Sequence, residues 1–268
     1  MNHLKINYNA IAKHIVSWLS DYANKTKVNG FVIGISGGID SAVTSTLCAL
    51  TGKHVLVLNL PIKQNKPEFD RGNEHINWLI NNFKNVSSNT VDLTRSFEAI
   101  ENSFPNDVAN DFLSMANTRA RLRMTTLYAF ACSKKLLVAG TGNKVEDFGI
   151  GFFTKYGDGG VDISPIADLY KTEVYALAKE LNIIDSILNA KPTDGLFADG
   201  RTDEDQIQAT YPELEWAMEY ILNNSNDPLS ERQKKVMEIY LQRNKANQHK
   251  MLPIPVCNIP KEVKFYNS

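Results

Sequence analysis

The sequence predicts an α/β fold: a Rossmann-like doubly wound parallel sheet with helices on both faces and additional C-terminal helices. Two observations carry this prediction. Short aliphatic runs alternate with longer segments of helical periodicity up to about residue 165, a pattern typical of parallel sheets covered on both faces. Beyond that point the patterns are mainly helical. We therefore expect one domain over residues 1–268, with the sheet core at about 28–165 and the helical part at about 166–268.

The first elements follow from periodicity and from their bounding residues. An amphipathic N-terminal helix is predicted by apolar residues at helical spacing: Ile11, Ile15, Trp18, Leu19 and Tyr22. GFVIGI at residues 30–35 predicts a buried strand, and AVTSTLCALTG predicts a helix that ends at Gly52. HVLVLNLP predicts a second strand, which Pro61 stops.

The alternation continues along the chain. EHINWLINNF predicts a helix, a weaker strand lies near NTVDL at residues 89–93, a long helix covers much of residues 107–133, and KKLLVAGTG predicts a fourth strand. Three C-terminal helices are predicted at YKTEVYALAKELNI, TYPELEWAMEYILNN and SERQKKVMEIYLQRN. The last of these opens with Ser230 and Gln233 at the spacing of a capping box.

Two turns directly follow predicted strands, one after Ile35 and one after Ala139. Ligands of parallel α/β sheets bind in the crevice at the carboxyl ends of the strands. Both turns lie at such ends, so we expect them to open onto one crevice.

The first turn, GISGGIDS, has the composition of a phosphate site. Gly37 and Gly38 have no Cβ, so the backbone can turn sharply and approach a ligand closely. Successive N–H groups and the positive end of the following helix attract anions, and Ser36 and Ser41 add hydroxyl donors. The turn lacks the Gly-Lys-Ser/Thr of a Walker A loop and the spacing of a dinucleotide-binding G-x-G-x-x-G.

Asp40 is the unexpected residue of this turn. As a plain first-turn acid it would gain only about 0.3–1 kcal/mol from the helix dipole. Beside a phosphate, at about 4 Å, it would meet a repulsion of about 4 kcal/mol per unit charge. A bridging Mg²⁺ removes this conflict, since Mg²⁺ takes one or two carboxylates together with phosphate oxygens. We therefore expect Asp40 to hold a metal ion.

Composition argues against several classes of protein. Lys and Arg total 29 against 30 Asp and Glu, without the basic excess of a nucleic-acid binder. No apolar run reaches the roughly 18 residues of a membrane span, and the N-terminus does not have the pattern of a signal peptide. The three cysteines, Cys48, Cys132 and Cys257, show neither disulfide nor metal spacing. We expect Cys48 and Cys132 to be buried thiols and the protein to be cytoplasmic.

The motif S-G-G-x-D-S after a strand resembles the pyrophosphate loop of the ATP pyrophosphatase group, whose members cleave ATP to AMP and pyrophosphate. Further motifs stand in the order found in ammonia-dependent NAD synthetases: NTRARLRM, GTGNKVEDFGIGFFTKYGDGGVDISPIADLYKTEV, KPTDGL and HKMLP. The resemblance spans nearly the whole chain, and GFFTKYGDGG is very specific.

The resemblance implies a role for each matching residue. Asp40 and Glu146 would bind Mg²⁺, and Asp40 and Lys171 would be catalytic. The residues implied to bind ATP are Gly34, Ile35, Ser36, Gly37, Gly38, Ile39, Asp40, Ser41, Thr141, Lys171 and Thr193. Those implied to bind the nicotinate dinucleotide are Arg121, Lys155, Asp162, His249 and Lys250. Asn59 stands where many members carry an arginine that serves the adenine pocket, so the adenine contact stays open.

The implied reaction is the ATP-dependent amidation of nicotinate adenine dinucleotide (deamido-NAD) with ammonia. It gives NAD, AMP and pyrophosphate through an acyl-adenylate, with Mg²⁺ as cofactor, ATP as co-substrate and no protein nucleophile. Glutamine-using relatives carry an additional amidase domain. The synthetase-like region takes up all 268 residues here, so we expect no such domain and free ammonia as the nitrogen source. The family is typically homodimeric, and we expect a homodimer with neither a nucleic-acid nor a membrane partner.

Three alternatives stay open at the level of sequence. The same chemistry on nicotinate mononucleotide is one, because the sequence does not settle which pocket residues set that preference. A tRNA-modifying ATP pyrophosphatase is another, although the net charge of −1 and the missing cysteine pairs weigh against it. A non-catalytic nucleotide-binding module is the third, and it would not need both Asp40 and Glu146.

Overall fold

The structure, a computed structural model, describes residues 6–64, 66–192 and 202–264. Its strands are β1 (Gly30–Gly34), β2 (His54–Asn59), β3 (Val86–Thr90) and β4 (Leu136–Val138). Its α-helices are α1 (Tyr8–Thr26), α2 (Ile39–Leu50), α3 (Lys66–Asn82), α4 (Thr94–Ser103), α5 (Asn106–Ala109), α6 (Phe112–Lys134), α7 (Lys171–Glu180), α8 (Asp185–Leu188), α9 (Asp203–Ile207), α10 (Tyr211–Leu222), α11 (Glu231–Met251) and α12 (Lys261–Lys264). A π-helix occupies Lys144–Ile150.

The four strands form one parallel sheet in the order β3-β2-β1-β4. β1 pairs with β2 from Gly30↔His54 onwards and with β4 from Gly30↔Leu136 onwards. The chain therefore builds outwards from β1 on one side and then returns to its other side for β4. Such a reversal of strand order opens a crevice at the carboxyl ends of the strands. The predicted fold class is confirmed.

Alternate residues of the strands enter two different apolar clusters. Phe31 and Ile33 of β1 pack in a cluster with residues of α1, α2 and α7. Val32, between them, packs on the opposite face with Met115 and Ala131 of α6. Successive side chains of a strand point to opposite faces, so helices cover both faces of the sheet.

The C-terminal helices build a third apolar cluster beside the sheet. Val145 and Ile150 of the π-helix pack there with Leu214 of α10 and Val236 of α11. The predicted capping box at the start of α11 is present, since the Ser230 hydroxyl accepts from the Gln233 N–H and the Gln233 side chain accepts from the Ser230 N–H. Within the described residues, no helix combines the length and the apolar character needed to span a bilayer.

Two predicted elements differ in their bounds. β3 begins at Val86, ahead of the predicted NTVDL, because its polar residues give no apolar alternation to mark a strand. The long helix predicted over residues 107–133 is interrupted between α5 and α6. Asp111 lies in the break and caps α6, since its Oδ1 accepts from the Ser114 N–H at 2.7 Å.

One expectation about side-chain burial is wrong, that for Cys132. Cys48 is buried as predicted, but Cys132 is exposed, because its neighbour Ala131 is the residue that faces the sheet. On α1, Trp18 and Tyr22 remain 40% and 36% exposed and contact one another instead of entering the core. The apolar stripe of α1 is therefore wider than the surface it covers.

His75 of α3 is a buried titratable group that faces α2. Its ring is fully buried, its Nε2 lies 3.0 Å from the Ser45 hydroxyl, and it stacks on Trp78. Burial lowers the pKa of His75 to about 4, because the imidazolium form is deprived of water.

We expect His75 to make the fold less stable in mild acid. An unfolded histidine titrates near about pH 6.5. As the pH falls from there towards about 4, the unfolded state gains a proton that the folded state does not, so the free energy of unfolding decreases by up to about 3 kcal/mol. Denaturant unfolding of the wild type and of His75→Phe across this range measures the effect.

The variant should lose most of this pH dependence. His14→Phe is the matched control, because His14 is an exposed histidine on α1, and it should keep the wild-type dependence. A His75→Phe protein with an unchanged pH dependence would contradict the assignment.

Candidate active site

The loop at residues 35–38 joins β1 to α2, and its glycines determine its backbone shape. Gly37 has a φ of 83°, and a Cβ there would lie 2.6 Å from the Glu68 carbonyl oxygen, so glycine is required where α3 passes. Gly38 is the N-cap of α2 and offers no side-chain cap. The first N–H groups of α2 therefore have no capping side chain from Gly38 and could donate to a bound anion.

The two serines of the loop fix its shape. The Ser36 and Ser41 hydroxyls lie 3.1 Å apart, the Ser41 hydroxyl donates to the Gly38 carbonyl, and the Gly38 N–H donates to the Ser36 hydroxyl. In this structure both hydroxyls are engaged within the loop. Their predicted contact with phosphate therefore requires them to exchange these partners.

Asp40, in the first turn of α2, meets Lys171 and Glu146 in a buried ionic cluster. The Lys171 ammonium lies 2.5 Å from Asp40 Oδ2 and 2.9 Å from Glu146 Oε1. The Lys171 side chain is only 5% exposed and each carboxylate side chain 16%. The three residues named from sequence as catalytic or metal-binding therefore lie together.

The π-helix holds Glu146 in place. Asn143 caps its first turn, because the Asn143 Oδ1 accepts from the N–H groups of Val145 and Glu146 at 3.1 Å each. The other half of the same amide, Nδ2, donates to Asp40 Oδ1 at 3.1 Å. One fully buried side chain thus ties the turn after β4 to the turn after β1.

Helix α11 holds the other end of the π-helix. The Asn244 and Asn247 side-chain amides donate to the carbonyl oxygens of Gly149 and Ile150, at 2.7 and 2.8 Å. Terminal carbonyls of a helix have no partner within the helix. The C-terminal helices therefore contribute directly to the position of Glu146.

Tyr211, the first residue of α10, completes the cluster. Its hydroxyl donates to Glu146 Oε1 at 2.6 Å and lies 3.3 Å from Asp203 Oδ2. The Lys171 ammonium stands 5.0 Å from the centre of the Tyr211 ring. The lysine is thus held between two carboxylates and an aromatic face.

The electrostatics of the cluster follow from two buried acids that share one base. Burial raises the pKa of Asp40 above its ordinary value. Burial also opposes ionisation of Glu146, but the charge of Lys171 and a hydrogen bond from Tyr211 hold the Glu146 pKa below its usual range. Burial would lower the pKa of Lys171, yet the charges of Asp40 and Glu146 outweigh it and raise that pKa.

The donor set suits a Mg²⁺ ion. Among the described residues, no group of three or more His, Cys, Asp or Glu side chains converges on a metal position. Two carboxylates converge here on one cationic point, beside a loop suited to phosphate. Mg²⁺ typically binds one or two carboxylates, with phosphate oxygens and water completing its shell, so Asp40 and Glu146 fit the ion.

Four of the five residues implied to bind the dinucleotide also come together. The Arg121 side chain donates to the Lys155 carbonyl, the Lys155 ammonium to the His249 carbonyl, and the Lys250 ammonium to the Phe153 carbonyl. They connect α6, the Gly-rich loop after the π-helix, and the end of α11. Arg121, Lys155 and Lys250 thus form a cationic rim where these three elements meet.

The remaining implied residues have different surroundings. Asp162 accepts from the Val138 N–H at 2.8 Å and from the Tyr128 hydroxyl at 3.1 Å, so both of its carboxylate oxygens are engaged beside β4. Thr141 follows β4 and is half-buried. Asn59 is buried and donates to the Asn73 side chain of α3. Thr193 lies outside the described residues.

Sequence reasoning missed Asn143 and Tyr211. Asparagine is a common N-cap, but no helix was predicted after Asn143, so this signal was not available there. Tyr211 offered no signal either, because its contact with Glu146 spans 65 positions of the chain. Asp147 was missed as well, and burial, together with the charge of Glu146, raises its pKa to about 8.

Comparisons with known proteins show what the chain is similar to. A family model described as NAD synthase matches residues 11–253. The NH(3)-dependent NAD(+) synthetase of Mycoplasma genitalium is 40% identical over 229 residues, which cover 85% of this chain and 88% of that protein. Among solved structures, the NMN synthetase of Francisella tularensis is 32% identical with a TM-score of 0.81, over 95% of this chain and all of that one. The NH3-dependent NAD synthetase of Campylobacter jejuni is 25% identical with a TM-score of 0.77, over 94% and 100%.

We expect Tyr211→Phe to destabilise the protein by about 1–3 kcal/mol, because Glu146 loses a buried hydrogen-bond donor. Urea unfolding measures the change. Tyr240→Phe is the matched control: Tyr240 lies in the same apolar cluster, and its hydroxyl makes no hydrogen bond within the described part of the chain. Equal effects of the two substitutions would show that the bond to Glu146 contributes nothing.

Proposed function

The chain belongs to the NAD synthase family, and we propose that it amidates deamido-NAD with ammonia at the expense of ATP. The products are NAD, AMP and pyrophosphate, and the enzyme is a ligase that forms a C–N bond. The observation that carries the site assignment is the cluster of Asp40, Glu146 and Lys171 next to a glycine loop at a helix start. A phosphate-binding turn with two carboxylates is what a magnesium–nucleotide complex requires.

The proposed roles at the nucleotide follow from charge and position. The open N–H groups of residues 34–41 bind the phosphates, and Asp40 and Glu146 hold Mg²⁺. When bound, Mg²⁺ neutralises charge on the departing pyrophosphate. Lys171 supplies a further positive charge at the same place. Thr141 and Thr193 are proposed as additional ATP contacts on resemblance alone.

The proposed roles at the second substrate follow from the cationic rim. Deamido-NAD carries a carboxylate and a pyrophosphate, which suit the groups of Arg121, Lys155 and Lys250, with His249 beside them. Held in the crevice, the substrate carboxylate attacks the α-phosphorus of ATP and pyrophosphate leaves, which gives the acyl-adenylate. Ammonia then attacks the activated carbonyl carbon, and AMP and a proton are released. Catalysis on this view is alignment and charge stabilisation. Asp162 is proposed to act here too, although reaching a ligand would require it to release Tyr128 or Val138.

The substrate choice is the sharpest alternative. The Mycoplasma genitalium relative is named an NH(3)-dependent NAD(+) synthetase. That name favours the dinucleotide and free ammonia as substrates. It argues against a tRNA substrate and against a non-catalytic nucleotide-binding role. A close structural neighbour has the name of an NMN synthetase. Nicotinate mononucleotide is therefore the comparison substrate in the test.

The test is pyrophosphate release from Mg-ATP and ammonia, with either nicotinate dinucleotide or nicotinate mononucleotide. We expect release to depend on the dinucleotide and to fall by about 10²-fold or more in Asp40→Asn. Asp168→Asn is the matched control, because that side chain is 99% exposed, and it should keep wild-type activity.

Each outcome separates one part of the proposal. Pyrophosphate release with the mononucleotide alone would overturn the proposed substrate but leave the proposed chemistry unchanged. Undiminished release in Asp40→Asn would overturn the metal assignment. An absence of release with both substrates would overturn the proposed reaction.

We also propose a homodimer, in the cytoplasm. The support for the dimer is exposed apolar surface at the start of α6 and after α11. Phe112 and Leu113 open α6 at 45% and 65% exposure, and Ile254 and Val256 after α11 are 66% and 76% exposed. Exposed apolar surface of this kind is typical of association sites.

We expect Leu113→Asp to raise the dimer dissociation constant by about tenfold or more, because it places a charge in the proposed interface. Sedimentation equilibrium measures it. Leu50→Asp is the control: Leu50 is 45% exposed at the far end of α2 and should leave association unchanged. A wild type that sediments as a monomer, or equal effects of the two variants, would overturn the proposed interface.

A further inference from the structure

Lys171 occupies the point at which the two proposed metal ligands converge. Its ammonium contacts one oxygen of each carboxylate, Asp40 Oδ2 and Glu146 Oε1. Those contacts of 2.5 and 2.9 Å leave no room for a second cation between the same two oxygens. The lysine therefore stands in the position that an ion bridging Asp40 and Glu146 would take.

The surroundings of Lys171 let it act as a removable partner. It is the first residue of α7, so its side chain leaves the helix at an end. A lysine carries its charge on a flexible four-carbon stem, whose ammonium here lies against the Tyr211 ring. Asn143 and Tyr211 keep their hydrogen bonds to Asp40 and Glu146 independently of the lysine, so the carboxylates stay oriented when it leaves.

Charge balance decides when the exchange is favourable. Two carboxylates and one ammonium leave the buried cluster with one net negative charge. Mg²⁺ alone would have to displace the ammonium or share the crevice with it, and two cations at this distance repel strongly in a buried site. Phosphate groups on the adjacent loop remove that penalty, because they give the ammonium a new partner.

We propose that Lys171 is an exchangeable counter-ion, which neutralises Asp40 and Glu146 in the nucleotide-free protein and passes to the phosphates when metal and nucleotide enter together. Lys171 thereby weakens the binding of Mg²⁺ in the absence of nucleotide. The proposal rests on the proposed function only for the presence of Mg²⁺ and a phosphate ligand, not for the identity of the second substrate.

The test is the Mg²⁺ affinity of the nucleotide-free protein, measured by calorimetric titration. Lys171→Met keeps the length of the side chain and removes its charge. We expect it to bind Mg²⁺ about tenfold or more tightly than the wild type. Mg²⁺ should also raise the melting temperature of Lys171→Met more than that of the wild type.

Lys144→Met is the matched control. Lys144 also pairs with one carboxylate, Asp168, and also lies over a tyrosine ring, that of Tyr170, but it contacts neither Asp40 nor Glu146. It should keep the wild-type Mg²⁺ affinity. Unchanged or weaker Mg²⁺ binding by Lys171→Met overturns the proposal, as does an equal gain in Lys144→Met.

A second measurement follows the wild type itself and uses a variant, the charge-conserving Lys171→Arg, only to assign the signal. The Lys171 side-chain signal of the wild type, assigned by its loss in Lys171→Arg, is followed by NMR with Mg²⁺ alone and with Mg²⁺ plus inorganic pyrophosphate. We expect the Lys171 signal to shift only when Mg²⁺ and pyrophosphate are both present. A full shift of the Lys171 signal with Mg²⁺ alone overturns the proposal. The absence of any shift with Mg²⁺ and pyrophosphate together also overturns it. Because neither ammonia nor a nicotinate substrate is present, this result is independent of whether the proposed reaction is correct.

Discussion

The burial of two carboxylates beside one ammonium is the constraint on which the rest of this structure depends. Lys171 lies 131 residues from Asp40 and 25 from Glu146 along the chain, so the cluster forms only when three separate elements have reached their final positions. A buried charge left without its partner costs about 3–5 kcal/mol. Each of the three elements is thus held to a single arrangement by the charges of the other two.

The parallel sheet makes this convergence possible. β1 and β4 are neighbours, and the turns that follow them both lie at the carboxyl edge. The first turn brings Asp40 and the second brings Asn143 and then Glu146. The C-terminal helices close the site from outside the sheet, through Tyr211 and through the amides of α11. These helices are therefore part of the site and not an appendage to it.

The sequence was sufficient to predict the fold class and to name the three residues that the structure brings together in the candidate site, but not the residues that hold them in place. Regular apolar runs marked β1, β2 and the C-terminal helices, while the polar edge strand β3 gave a weak signal and was misplaced. Asp40 could be inferred because a carboxylate in a phosphate turn demands a cation. Tyr211 could not, since its role depends on a distant contact that no local pattern encodes. The exposure of Cys132 and Trp18 was equally hidden, because periodicity shows which face is apolar and not how much of that face is covered.

The π-helix at Lys144–Ile150 makes the length of this segment matter as much as its composition. A π-turn contains one residue more than an α-turn, so loss of a single residue there would yield an ordinary helical turn and not a broken one. The shortened chain would keep its backbone hydrogen bonds, yet Glu146 would rotate about the helix axis relative to Asn143 and leave Asp40. Surface loops usually absorb such insertions and deletions. Here a one-residue deletion would keep the helical backbone yet remove the carboxylate pair, and the buried hydrogen bonds of Glu146 to Lys171 and Tyr211 would be lost with it.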